Sequence, residues 1–190
     1  MQPTDIFITE DEYLVREPEA EYKSEFRDGR MVAMAGASLA HSRITANLIR
    51  RIDSQLDGGP CATYTSHTRI KVAAARFYTY PDVSVVCGTP KVDPPRSSTV
   101  TNPTLIAEVL SPGTEAYDRG EKFGYYRKLD SLQEYVLVAQ DRVHVERFTR
   151  EEGGAWIAAV YSSIDDVVEL PSIGCRLAVR DIYARVEGVA

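Results

Sequence analysis

Asp82 and Glu108 each sit inside a short apolar, strand-like segment, residues 80–87 and 104–110, and Lys122 follows in the next helical segment. A carboxylate among apolar neighbours is costly unless it is paired or holds a cation. Strand periodicity puts Asp82, Ser84 and Val86 on one face, and Ile106, Glu108 and Leu110 on one face. If the two strands are neighbours, both acids converge and can share one hard cation, Mg²⁺ or Mn²⁺, with waters completing its shell. Such a cation lowers the pKa of an attacking water and neutralises charge on a phosphate. Lys122 would then hold that water or stabilise the transition-state phosphate. The plainer alternative is that Asp82 caps a strand, Glu108 pairs with an arginine and Lys122 is a solvated surface lysine.

Two further residues fall near this set. His41 stands three residues before Ile44 and seven before Leu48, on the inward side of a predicted helix. It either touches the site or a phosphate, or is a hydrogen-bonded buried histidine. Glu25 is either an extra metal ligand or an exposed strand-end acid. His67, Arg69 and Lys71 share one face of an alternating stretch, a basic stripe for phosphates or a solvated face.

The elements that must position these groups can be read from the pattern. Residues 8–19 predict a short helix. Residues 21–34 predict a hairpin turning at Asp28-Gly29, a pair that tolerates positive backbone angles. Ser38 caps a helix through Leu56, with Ile44, Leu48, Ile52 and Leu56 on one stripe and Asp57-Gly58-Gly59-Pro60 ending it. Residues 64–72 alternate as one strand, and a polar, proline-bearing loop spans 90–103. Asp118 and Glu121 form a capping-box pattern before Phe123, Tyr126 and Leu129. Strands are predicted at 134–139, 143–149, 156–161 and 167–170, with a terminal helix at 181–186. The order implies an α/β (α+β) fold with a mixed central sheet flanked by helices.

At 190 residues, 44% hydrophobic and 26% charged, the chain suits one domain spanning 1–190. Its apolar runs are too short to span a bilayer, and its start lacks a signal-peptide pattern, so it reads as cytoplasmic. The net charge of −6 argues against non-specific coating of nucleic acid but not against a nuclease. Cys61, Cys87 and Cys175 are widely spaced with no C-x-x-C pair, and read as small core residues rather than a zinc site.

These residues resemble a known family. Glu25-Phe26-Arg27-Asp28-Gly29, His41, Pro81-Asp82-Val83-Ser84-Val85-Val86, Glu108-Val109-Leu110-Ser111-Pro112, Lys122 and Glu134-Tyr135 occur in the order of the Uma-two family of the PD-(D/E)XK nuclease superfamily. The likeness runs from about Thr9 to Asp181. It implies a restriction-endonuclease-like core, with added antiparallel strands at both ends, and Mg²⁺-dependent cleavage of DNA. It makes Asp82 and Glu108 metal ligands. The superfamily's lysine stands two positions after the second acid, where this chain has Leu110. Either Lys122 supplies that charge, or the site is weakened. A homodimer is expected if two strands are cut. The rival readings are a non-catalytic nuclease-derived module that binds nucleic acid or protein, and a phosphoesterase acting on a small nucleotide.

Overall fold

The computed structural model describes residues 6–93 and 98–189. The expectations on Met1 to Asp5 and on the middle of the 90–103 loop lie outside those residues. The chain opens with strand β1 (Ile6–Phe7), helix α1 (Glu10–Arg16) and the hairpin β2 (Ser24–Arg27) and β3 (Arg30–Ala33). Helix α2 (Leu39–Leu56) follows, then β4 (Cys61–Thr65), β5 (Arg69–Val72), β6 (Phe77–Thr79) and β7 (Val83–Cys87). After β8 (Thr99–Val100) and β9 (Leu105–Leu110) comes a broken helical segment. It consists of α3 (Glu115–Tyr117), a π-helical turn (Asp118–Lys122) and α4 (Phe123–Tyr126). The chain ends in β10 (Glu134–Ala139), β11 (Val145–Arg150), β12 (Trp156–Tyr161), β13 (Val167–Leu170), β14 (Cys175–Ala178) and α5 (Val179–Ile182).

The mixed sheet runs β12-β11-β10-β9-β7-β4, parallel only between β9 and β10. A second six-stranded sheet, β1-β3-β2-β6-β5-β8, stands beside it, and β13 pairs with β14. Alternation along the mixed sheet sorts its side chains into two layers. Val83, Val85, Leu105, Ala107, Val109, Val136 and Val138 pack under the α2 stripe of Ile44, Leu48, Ile52 and Leu56. Val86, Ile106, Leu110, Tyr135 and Leu137 face the other way, onto Phe123 and Tyr126 and the second sheet's Ile70, Val72 and Phe77. Glu108 lies between Ile106 and Leu110 in sequence, so it points into this second layer.

The Asp28-Gly29 turn is as expected, with φ of 48° and 78°. Ser38 caps α2, its hydroxyl accepting from the His41 N–H at 3.0 Å. Three expectations are corrected. Residues 64–72 are not one strand: the chain turns at Ser66 to Thr68, and β4 and β5 belong to different sheets. The basic stripe dissolves with it. His67 is exposed in the turn; Arg69 is buried, bonded to Thr99 and set over the Tyr13 and Tyr78 rings. Lys71 pairs with Glu10 and Asp93.

The third correction concerns the cysteines. Register places Cys61 directly opposite Cys87 across β4 and β7, and the two form a disulfide, while Cys175 is free and buried. The bond ties an edge strand to the strand that begins beside Asp82. Closing a loop of 26 residues in the unfolded chain is expected to stabilise the fold by about 2–4 kcal/mol. Urea unfolding with and without reductant checks this. An unchanged midpoint, with thiol titration showing the bond open, would remove the disulfide from the account of stability.

Candidate active site

Antiparallel pairing of β7 with β9 puts Val83 opposite Ala107 and so brings Asp82 alongside Glu108. The two acids are locked by backbone. The Asp82 N–H donates to Glu108 Oε2 at 3.2 Å, and the Val109 N–H donates to Asp82 Oδ2 at 2.8 Å. His41, at the start of α2, reaches Asp82 from the opposite layer, its Nε2 3.1 Å from Oδ2. Thus one acid at the strand start is shared by both faces of the sheet.

Lys122 fills the centre. Its ammonium lies 2.8 Å from Glu108 Oε1, 3.1 Å from Glu25 Oε1 and 3.4 Å from Asp118 Oδ1. Glu108 and Glu25 are further held by hydroxyls. Tyr126 Oη donates to Glu108 Oε1 at 2.7 Å. Thr79 Oγ1 donates to Glu25 Oε1 at 2.6 Å, and Tyr117 Oη to Glu25 Oε2 at 2.7 Å. All five residues predicted from the sequence, Glu25, His41, Asp82, Glu108 and Lys122, therefore come together. Glu25 is buried rather than an exposed strand-end acid, and Lys122 is buried rather than solvated.

The site has a closed end and an open one. The side chains of Glu25, Glu108, Asp118 and Lys122 keep at most 7% of their surface, whereas Asp82 and His41 keep 17% and 16%. Asp82 and His41 are the most solvent-accessible of these side chains.

Four carboxyl groups here face one ammonium and one imidazole, with the Arg27 guanidinium one ring further out, 4.4 Å above Tyr117. Burial pushes the Glu108 carboxyl up to about 7 against the pull of Lys122, and the charges of Asp82 and Asp118 add to the rise. Burial likewise raises Asp118. Burial works the same way on Glu25, but Lys122 and the Thr79 and Tyr117 hydroxyls outweigh it and hold that carboxyl low. Burial alone would depress Lys122 and His41. The surrounding acids reverse this, raising Lys122 well above its ordinary value and raising His41 through Asp82. The cluster carries more acid than its own cations neutralise.

Asp118, Tyr117, Tyr126 and Thr79 were not anticipated. Asp118 does not cap a helix: the helical segment begins earlier, at Glu115, and Asp118 opens the π-helical turn that ends at Lys122. The available signal was spacing, since 118, 122 and 126 recur at four-residue intervals and so share a face. Leu110, in place of the expected lysine, is packed in the apolar layer with Ile106 and Phe123.

The chain is similar to known proteins over most of its length. The chain is 41% identical over 179 residues to the uncharacterized protein slr1290 of Synechocystis sp. (strain ATCC 27184 / PCC 6803 / Kazusa), covering 93% of this chain and 91% of that one. It is 39% identical over 150 residues to the uncharacterized protein sll1609 of the same strain, covering 79% and 85%. Its fold matches a crystal structure described as a putative nuclease belonging to DUF820, from Anabaena variabilis ATCC 29413. The TM-score is 0.75 at 21% identity, over 93% of this chain and 98% of that one. The fold is therefore restriction-endonuclease-like. The Uma2 model, described as "Putative restriction endonuclease", matches residues 10–180, and the chain belongs to that family.

Proposed function

We propose that this protein is a divalent-metal-dependent endonuclease that hydrolyses phosphodiester bonds in DNA. The observation that carries the reading is the adjacency of Asp82, at the open end, to Glu108, inside a buried, acid-rich cluster centred on Lys122. The donor set suits a hard cation, because both acids offer oxygen and the cluster has negative charge to spare. Among the described residues no three His, Cys, Asp or Glu side chains form a ready-made cage. Two carboxylates and several waters are what Mg²⁺ accepts, and Mn²⁺ can replace it.

Asp82 and Glu108 would hold the cation, which when bound lowers the pKa of an attacking water and neutralises charge on the phosphate. Lys122, fully buried and charged, orients that water or offsets charge building on the phosphate. His41, whose charged form the neighbouring Asp82 favours, would donate its other ring N–H to a phosphate oxygen at the open end. Glu25 keeps Lys122 in place. Lys122 would supply the charge that Leu110 does not, which is the main point against the non-catalytic reading.

A homodimer would provide the two centres that cutting both strands requires. A cytoplasmic site of action, expected from the sequence, implies that Cys61 and Cys87 are reduced there, since disulfides rarely persist in the cytosol. No helix among the described residues is long and apolar enough to cross a membrane.

The test is cleavage of plasmid and single-stranded DNA with Mg²⁺ or Mn²⁺ by wild type, Asp82→Ala and Glu108→Ala. Cleavage is expected from wild type only, with each variant down by roughly 10²–10³ or more. A folded wild type that neither cuts DNA nor binds Mn²⁺ sinks the nuclease reading and leaves the binding module. Turnover of a small nucleotide without DNA cleavage selects the phosphoesterase.

A further inference from the structure

One buried acid in the cluster has no part in the scheme above. Asp118 shares a π-helical turn with Lys122, four residues apart, and both side chains keep only 6% of their surface. The turn is pinned from below, where the buried Tyr135 hydroxyl donates to the Asp118 carbonyl at 3.1 Å. Single π-helical turns concentrate at functional sites because the extra residue re-aims the side chains that follow. Here it sets Asp118 beside Lys122, whose ammonium also faces Glu25 and Glu108. An acid is costly at such depth unless it serves the charge beside it.

A cation bound by Asp82 and Glu108 faces a competitor. The closest partner of the Lys122 ammonium is Glu108, at 2.8 Å, and Asp118 is the most distant of its three, at 3.4 Å. Two positive charges cannot both rest on the Glu108 carboxylate without strong repulsion. The ammonium must lean away, and the groups placed to receive it are Glu25 and Asp118.

We propose that Asp118 is a positioning residue: it takes the Lys122 ammonium from Glu108 when Glu108 turns to the metal. Asp118 does not touch the cation. It acts through Lys122, and being on the same turn it keeps its distance from the lysine backbone as the side chain swings. This inference rests on the metal-dependent reading of the site.

The experiment is a double-mutant cycle on Mn²⁺ affinity, measured by calorimetry and by the electron paramagnetic resonance of free Mn²⁺ at pH 8. The proteins are wild type, Asp118→Asn, Lys122→Gln and the double variant, each checked for folding by circular dichroism and thermal melting. Both substitutions are close in shape to the native residue, and Lys122→Met serves if Lys122→Gln fails to fold. Asp118→Asn is expected to weaken Mn²⁺ binding on the order of tenfold in the wild-type background. In the Lys122→Gln background it is expected to change nothing, because the competitor is gone. An equal loss in both backgrounds makes Asp118 a ligand or a purely structural group and overturns the proposal. No loss in either background overturns it too. Absence of Mn²⁺ binding by wild type overturns the metal reading itself, an outcome distinct from both.

Discussion

Lys122→Met is expected to destabilise the metal-free protein by about 3–5 kcal/mol at pH 8 and to lower cleavage by roughly 10²–10³-fold. The ammonium is fully buried and stands within 3.4 Å of three carboxylates, which its removal leaves facing one another. The loss is large because one member of a buried ionic set goes while the rest remain. It also depends on pH. Without the ammonium the carboxyl groups of Glu108 and Asp118 rise further above their unfolded values and Glu25 loses the attraction that holds it low, so the folded state binds protons that the unfolded state releases. Stability then falls as pH rises, and the deficit shrinks on acidification. Urea unfolding of both proteins at pH 5.5 and pH 8 measures this. A deficit below 1 kcal/mol at pH 8, or one that grows towards low pH, would show that the ammonium does not hold the cluster together.

The sequence made the positions of the acids legible because their strands obey period two. Asp82 and Glu108 are required to converge once β7 and β9 pair, and the apolar residues around them admit only one facing. Helix α2 was equally readable, since Ser38, the stripe from Ile44 to Leu56 and the Gly-Gly-Pro exit agree with one another. What escaped was tertiary. Alternation continues unbroken from Tyr64 to Val72, so nothing in the period marks the passage from one sheet to another at Ser66. The Cys61–Cys87 bond depends on strand register over 26 residues, which spacing does not reveal. Asp118 was misread for a physical reason: aspartate three residues before a glutamate is also what a helix start looks like. Only burial separates the two meanings, and burial at that position depends on packing from elsewhere in the fold, including Tyr135 of β10, whose hydroxyl bonds the Asp118 carbonyl.

Magnesium binding is expected to weaken about tenfold between pH 8 and pH 6, because Glu108 must lose its proton to bind the cation. Burial holds that carboxyl at about 7, so it is ionised at pH 8 and protonated at pH 6. The sign in the metal-free protein follows from the same shift. Folded Glu108 keeps a proton that unfolded Glu108 has released between about pH 4.5 and 7. Its contribution to stability therefore falls as pH rises through that window and is level above it. Asp118, also raised, acts in the same direction, whereas Glu25, held low, contributes stability that is lost on acidification. Magnesium reverses the penalty at Glu108. A tenfold change in affinity is about 1.4 kcal/mol of added stability at excess ligand, so Mg²⁺ should raise the melting temperature more at pH 8 than at pH 6. Thermal melts at both pH values, with Mg²⁺ and with chelator, make the comparison. Equal shifts at the two pH values would mean that the cation does not compete with a proton on Glu108 and is bound somewhere else.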